Sequence, residues 1–268
     1  MSSKEVADSM SDRLKDKVAI VTGAADGIGQ AIARLFAAEG AKVCIADINK
    51  EQGEAFAEAL RRDGLKVFFQ RTDVSDAHQV AQMLDTTIST FGPPEILINN
   101  AGIIPMTPEP IDVAQETYDR VFQVNLTGMW NCSRAVMGPM KKARRGAIVN
   151  IASVHAFKIV RGHFPYAVTK HAVIGLTRNL AVEYGQYGIR VNALCPGMVE
   201  TPNAFKAWDQ TLNPETARQA IANLHPLGRN GTTEEIAHPA LFLASDGASF
   251  ISGQTLIADG GRSVVYHD

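Results

Sequence analysis

Apolar positions along this chain follow two rhythms that alternate. Short runs of β-branched and apolar residues fall at Lys17–Thr22, Lys42–Ala46, Lys66–Arg71, Glu95–Asn99, Gly146–Ala152, Arg190–Cys195 and Gln254–Ala258. Successive residues in them are apolar, so both faces of each strand must be covered. Between them lie stretches with helical spacing of apolar residues: Gln30–Glu39, Glu51–Arg62, Val80–Thr90, Gln115–Met140, Tyr166–Tyr184 and Thr233–Ala244. Gly40, just past the first of these, is a helix stop. Strand alternating with helix predicts an α/β fold, a parallel sheet with helices on both faces. One segment breaks the rhythm. From Pro196 to about Asn230 the chain carries Pro202, Pro214 and Pro226 and few regular signals. Long irregular connections often act as lids, so a substrate lid is expected around 198–224.

A chain of 268 residues suits one domain, expected over 15–268, behind a flexible N-terminal tail, 1–14, that is polar and charged. Hydrophobic residues make up 46% and charged residues 20%, enough for a large core without staples. The net charge is −2 with no long basic run, which argues against nucleic acid or an anionic membrane as partner. Lys141, Lys142, Arg144 and Arg145 read as a solvated helix end. No apolar stretch reaches the roughly 18 residues of a membrane span, and the first residues lack the apolar core of a signal peptide. Cys44, Cys132 and Cys195 are odd in number and far apart. They fit buried thiols in a reducing cytoplasm rather than disulfides or a zinc site. No histidine stands at metal-ligand spacing from a cysteine or carboxylate, so no metal is expected.

The first strand runs into Gly23-Ala24-Ala25-Asp26-Gly27-Ile28-Gly29 and then a helix. Gly23 permits the tight turn, Gly27 leaves room for a pyrophosphate, and Gly29 allows close helix–strand packing. The helix N-terminus offers free N–H groups to phosphate. Asp47 closes the second strand, where a carboxylate can accept from both ribose hydroxyls and repel a 2′-phosphate. Asp26 adds negative charge, and Ala24, Ala25 and Ile48 supply no cation, which favours NAD over NADP. Asp73, in Thr72-Asp73-Val74, can accept from an adenine amino group. Asn99-Asn100-Ala101-Gly102 is small and turn-forming, so backbone can approach a cofactor there. Each is equally a plain turn residue in isolation. Their succession after consecutive strands favours the ligand reading.

Tyr166 and Lys170 share a helical face, and a nearby lysine can lower a phenol's pKa. Such a phenol can take a proton from an alcohol or give one to a ketone. Ser153 ends the preceding strand, where its hydroxyl can hold a substrate oxygen. Asn125, inside an apolar helix, is costly unless paired; it fits a proton relay to Lys170 or a bond to a backbone carbonyl at a kink.

In this order the motifs resemble those of the compact short-chain dehydrogenases/reductases, over Lys15 to about Gly261. The resemblance implies a doubly wound Rossmann fold with strand order 3-2-1-4-5-6-7. It implies catalysis by Asn125, Ser153, Tyr166 and Lys170, with Lys170 and Tyr166 also against the cofactor. It implies nicotinamide contacts from Pro196, Gly197, Val199 and Thr201. It also implies a homotetramer, with one interface formed by the two long helices and another by the end of the chain.

Substrate contacts are expected from Ser153, His155, Phe157, His163, Phe164, Tyr166, Met198 and Trp208. Aromatic, His, Asn and Gln side chains together suit a sugar or polyol, and Ser153–Phe157 is similar to family members acting on such substrates. A 3-oxoacyl or other carbonyl reductase remains the alternative. A non-catalytic NAD-binding protein would need no Ser153, Tyr166 and Lys170, all of which are present.

Overall fold

In the computed structural model, which describes residues 12–265, seven parallel strands form one sheet in the order β3-β2-β1-β4-β5-β6-β7. They are β1 (Val18–Thr22), β2 (Lys42–Asp47), β3 (Val67–Arg71), β4 (Ile96–Asn99), β5 (Gly146–Ile151), β6 (Ile189–Pro196) and β7 (Thr255–Ala258). The helices are α1 (Gly27–Ala38), α2 (Lys50–Arg62), α3 (Ala77–Phe91), α4 (Gln115–Phe122), α5 (Gly128–Ala143), α6 (Tyr166–Tyr184), α7 (Pro202–Asp209), α8 (Pro214–Ala222) and α9 (Thr233–Ala244). The expected fold class and strand order are both present.

Every residue of β1 and β4 is buried, because adjacent side chains enter opposite layers. Ala19, Val21 and Ile98 meet Ile32 and Phe36 of α1, Phe56 and Leu60 of α2, and Ile236 and Leu241 of α9. Ile20 and Leu97 meet Val80 and Met83 of α3, Val136 and Met140 of α5, and Leu180 of α6. Fully burying an aliphatic side chain of this size is worth about 1.5–3 kcal/mol, so neither layer is dispensable. Cys44, Cys132 and Cys195 are free and buried. Burial pushes the first two thiols up to about 12 and the third to about 11. Among the described residues no helix is long and apolar enough to cross a membrane.

Three expectations change. The tail does not extend to residue 14. Leu14 is fully buried in the α1 layer, its N–H donates to the Glu39 carbonyl at 2.9 Å, and the Arg13 Nε donates to the Glu39 carboxylate at 3.1 Å. Residues 1–11 lie outside the described residues. The long helical stretch after β4 is not continuous. A wide π-type turn, Gln123–Thr127, separates α4 from α5. The lid segment is not irregular, since it holds α7 and α8. Thr201 Oγ1 accepts from Ala204 N–H at 3.2 Å, and Asn213 Oδ1 accepts from Thr216 N–H at 3.1 Å. Pro202 and Pro214 follow these caps at the first helical position, where a missing N–H costs nothing. Prolines that look like breakers are helix starters here. Arg218 of α8 grips Glu200 with two bonds, 2.8 and 3.0 Å, which ties the segment to the end of β6.

The first turn of α1 packs so closely on the end of β1 that Gly29 has no room for a Cβ. A Cβ at Gly29 would lie 2.1 Å from the Gly23 carbonyl oxygen, a backbone atom that cannot swing aside. Gly29→Ala should therefore cost about 1–3 kcal/mol despite alanine's better helix propensity, read as a lower denaturant midpoint at unchanged m-value.

Candidate functional site

All the functional side chains singled out in the sequence sit at or beyond the carboxyl ends of the strands, where an open parallel sheet leaves a crevice. Two turns meet there. Thr22 Oγ1 donates to the Ile98 carbonyl at 3.2 Å and accepts from the N–H groups of Asn100 and Ala101 at 3.0 and 3.1 Å. Asn100 Nδ2 donates to the carbonyls of Thr22 and Gly23 at 3.0 and 2.8 Å. The Asn100 side chain is thus occupied in joining the turns, which leaves the backbone of this turn to face the cavity. Gly23 holds φ +62°, and a Cβ on it would come within 2.8 Å of the Ala101 Cα.

These turns border a cavity of about 380 Å³. Gly23, Asp26, Gly27, Ile28, Asp47, Ile48, Asp73, Val74, Asn100, Ala101, Gly102 and Thr201, the residues read as cofactor-binding, all line it. Gly29 is buried behind it, at the packing position read for it. Gly27 holds φ +54° and faces open space, with only the Thr201 side chain within 4 Å. The α1 N-terminus begins there without a side-chain cap, so its N–H groups remain available. Asp47 Oδ2 accepts from Ala25 N–H at 3.0 Å and Oδ1 from Asn49 N–H at 2.9 Å, which fixes the carboxylate at the mouth. Burial, then the Asp47 charge, raises the Asp26 carboxyl, with Lys206 opposing. Burial would raise Asp73 as well. Bonds from Ser75 and the charge of Arg120 outweigh it and hold Asp73 below the usual carboxylate range. Arg120 also lines the cavity and reaches Asp73 at 3.2 Å, a contact between α4 and the end of β3 that no local sequence signal announces.

Beyond β5 the expected catalytic residues come together. Ser153 Oγ accepts from His155 N–H at 3.1 Å and stands close enough to the Tyr166 hydroxyl to lower its pKa. Lys170 is buried; its Nζ donates to the Ile151 carbonyl at 2.8 Å and lies 5.4 Å from the Tyr166 ring centroid. Burial pushes the Tyr166 phenol up to about 12 against the pull of Ser153, and pushes the Lys170 amine down to about 8. The expected depression of the phenol by Lys170 is therefore absent. The ammonium is turned to a backbone carbonyl, and desolvation dominates. Asn125, in the π-type turn, donates to and accepts from the Ile103 backbone at 2.8 Å each, and meets Thr169 Oγ1 at 3.4 Å. Its side chain satisfies backbone at a kink, the second of the two readings. A buried chain of polar groups missed in the sequence braces the floor: Asn99 Nδ2 donates to Ser133 Oγ and Asn150 Oδ1 at 3.0 and 2.9 Å, and Asn150 Nδ2 to Thr177 Oγ1 at 2.9 Å.

The His155 ring meets Tyr166 edge-on at 5.5 Å, and His163 meets His155 at the same separation. Burial first, then the charges of His163, Arg262 and Lys170, push His155 down to about 4. Phe164 lies 6.0 Å from Tyr118, and Phe157 is exposed. Trp208 is enclosed within the lid, buried and edge-on to Phe205 at 5.3 Å, rather than gathered with the His155–Tyr166 group. Met198 and Val199 begin the lid, where Gly231 N–H donates to the Met198 carbonyl at 2.9 Å. Pro196 and Gly197 close β6, and Gly197 packs so tightly on Asp259 that a Cβ would approach to 2.8 Å. Among the described residues no cluster of metal-binding side chains occurs.

A larger cavity, about 580 Å³, opens at the amino-terminal end of the sheet. Lys17 pairs with Asp246 at 2.7 Å and Arg145 with Glu95 at 3.1 Å, Arg190 donates to the Leu243 carbonyl at 2.8 Å, and the cavity holds none of the motif residues.

A family described as "Enoyl-(Acyl carrier protein) reductase" matches residues 23–263. Secoisolariciresinol dehydrogenase of Forsythia intermedia is 40% identical over 97% of this chain and 94% of its own. The structure of a levodione reductase superposes with a TM-score of 0.91 at 36% identity, covering 94% of this chain and 99% of that one. A gluconate 5-dehydrogenase from Burkholderia cenocepacia, in complex with NADP and tartrate, superposes at 0.88 with 33% identity over 95% and 99%. Together with the sheet order and the Ser153–Tyr166–Lys170 cluster, these matches make the chain a member of the short-chain dehydrogenase/reductase family.

Proposed function

We propose that the chain interconverts a secondary alcohol and a carbonyl with NAD(H), and that its substrate is a small polar alcohol of the sugar or polyol kind. One observation carries the reaction: Tyr166, with Ser153 and buried Lys170 beside it, lies at the same carboxyl edge of the sheet as the open glycine cradle. The residues present fit a dinucleotide. A side chain at Gly27 would fill the space above the α1 N-terminus, and the Asp47 carboxylate is held at the mouth. When bound there, NAD supplies the hydride acceptor and NADH the donor. The chain's own residues do the rest. Ser153 Oγ holds the reacting oxygen. Tyr166 Oη takes the alcohol proton in oxidation and returns one to the carbonyl in reduction. Lys170, anchored on Ile151, keeps positive charge beside the phenol, and the π-type turn at Asn125 supports the relay of the proton. Pro196, Gly197, Val199 and Thr201 border the nicotinamide end, and the α7–α8 segment closes over substrate.

The fixed Asp47 carboxylate, with Asp26 beside it, favours NAD, although a similar gluconate dehydrogenase binds NADP. Likeness to a 3-oxoacyl-[acyl-carrier-protein] reductase of Chlamydia trachomatis, 40% identical over 95% of this chain, keeps reduction of the 3-oxo group of an acyl thioester as a second reading. The sugar-type substrate draws support from the His155 and His163 imidazoles and from the gluconate dehydrogenase likeness. Exposed Phe242, Phe250, Leu256 and Ile257 near the end of the chain support a homotetramer.

Comparison of kcat/KM for the two cofactors should show a strong preference for NAD that Asp47→Ser weakens; a preference for NADP removes the Asp47 role. Light scattering at micromolar concentration should give a tetramer, and a monomer would refute that assembly. Tyr166→Phe should lose about 10²–10⁴-fold in kcat with NAD affinity near wild type, whereas a non-catalytic NAD-binding protein would show no turnover to lose. A phenol raised toward 12 is protonated at neutral pH. Oxidation should therefore climb with pH into the alkaline range while reduction does not, the limb belonging to the Tyr166–Lys170 pair. A flat oxidation profile across that range would count against Tyr166 as the base.

A further inference from the structure

Arg120 stands in the wall of the glycine cradle and closes a ring of three side chains. It leaves α4 and crosses to the turn after β3. Its Nη1 donates to Ser75 Oγ at 2.8 Å and its Nη2 to Asp73 Oδ2 at 3.2 Å. The Ser75 hydroxyl in turn donates to Asp73 Oδ1 at 2.6 Å, and the Ser75 N–H reaches the same oxygen at 2.9 Å. A carboxylate offers about four acceptor positions. Among the described residues two donors fill Oδ1 and one reaches Oδ2. The position left over is on Oδ2, the oxygen that Arg120 holds, and Asp73 lines the cavity. An exposed ion pair contributes only about 0–1 kcal/mol to stability, so the fold gains little from Arg120.

Other groups hold the backbone around this carboxylate. Thr72 N–H donates to the Asp47 carbonyl at 2.8 Å, so the Asp73 turn lies beside the strand end that presents the Asp47 carboxylate. Asp73 N–H donates to Gln79 Oε1 at 3.0 Å, and Asn131 Nδ2 of α5 donates to the Val74 carbonyl at 3.1 Å. A Cβ on Gly128 would lie 2.6 Å from the Val74 side chain, so the start of α5 packs hard against the turn. The place of the turn is thus set without Arg120. What Arg120 adds is the direction of one carboxylate oxygen and a charge that keeps it an acceptor. Burial would raise Asp73, and the Ser75 bonds with the Arg120 charge outweigh it. With the ribose on Asp47, the part of a dinucleotide that meets Asp73 is the base.

We infer that Arg120 is a positioning residue of the cofactor site: through Ser75 and Asp73 it aims one carboxylate lone pair at the exocyclic amino group of the base, and so selects adenine over a base that carries an oxygen there. This deepens the proposed cofactor reading and rests on it. An ionised carboxylate can only accept. The amino group of adenine donates to it, whereas the carbonyl of hypoxanthine at the same place meets it with lone pairs. Arg120 touches Asp73 and not the reacting atoms, so it acts on binding of the base and leaves the hydride and proton steps as they are.

The test compares cofactors that differ at the base. With one secondary alcohol at saturation, NAD, its hypoxanthine analogue and nicotinamide mononucleotide, which has no base, are compared in wild type, Arg120→Ala and Arg120→Lys. Wild type should favour NAD over the hypoxanthine analogue by about 10- to 100-fold in kcat/KM, the range of a hydrogen bond to a charged group. Arg120→Ala should reduce that ratio to about 2- to 10-fold, the range of an ordinary hydrogen bond, through a raised KM for NAD. Its kcat/KM with the mononucleotide should stay close to wild type, and Arg120→Lys should restore part of the ratio. Calorimetric titration of adenosine 5′-monophosphate and inosine 5′-monophosphate reads the same contrast without turnover. A wild-type ratio near one, or a ratio unchanged in Arg120→Ala, overturns the inference and leaves the proposed reaction intact. Equal losses with all three cofactors in Arg120→Ala make Arg120 structural and also overturn it. Preference for the adenine monophosphate, lost in Arg120→Ala, with no alcohol turned over, supports the inference and counts against the proposed reaction.

Discussion

The clamp between two turns, Thr22-Gly23 after β1 and Asn100-Ala101 after β4, is the contact on which the site depends. Four hydrogen bonds of 2.8–3.1 Å join them, and the glycine at their contact leaves no room for a methyl group. The clamp does two things at once. It opens the α1 N-terminus toward the cavity, and it fixes the β4 end against β1. From β4 the position is handed on through Asn99 to Asn150 of β5 and from there to Thr177 of α6, the helix that carries Tyr166 and Lys170. The cradle and the proton-transfer group, far apart in sequence, are thereby referred to one frame. This polar chain spans three strands and two helices, with Asn99 Oδ1 the atom in it left without a partner among the described residues.

The electrostatics of the site divide along the same line. The cradle carries Asp26, Asp47 and Asp73, the last paired with Arg120, while Lys170, His155 and His163 gather about Tyr166. Burial moves the titrating groups toward their neutral forms: phenol up, amine down, imidazole down. A proton-transfer group set in such a place exchanges its proton most readily when substrate and cofactor have completed its surroundings.

Much of this was legible in the sequence. The alternation of short apolar runs with helical periodicity yields all seven strands, because a strand covered on both faces cannot disguise its composition. Tyr166–Tyr184 and Thr233–Ala244 match their helices end to end. The glycine spacing placed Gly23, Gly27 and Gly29 correctly because backbone sterics leave few alternatives. What was not legible is what depends on distant partners. Pro202 and Pro214 look like breakers until Thr201 and Asn213 are recognised as caps before them. The π-type turn at Asn125 arises from bonds to Ile103, whose position no periodicity fixes. Leu14 looks like part of a polar tail until the α1 layer closes over it. Asn100 and the Asn99–Asn150 pair read as turn and strand residues, since their partners lie on other strands.

The central claim is direct transfer of hydride from a carbinol carbon, with Tyr166 handling the proton. It is tested most directly by oxidising a secondary alcohol deuterated at that carbon in ordinary water. The account predicts that the deuterium appears in the reduced nicotinamide, at one face of its ring, and that the rate limb assigned to Tyr166–Lys170 persists with the labelled alcohol. Deuterium released to solvent, with an unlabelled reduced cofactor, would contradict it.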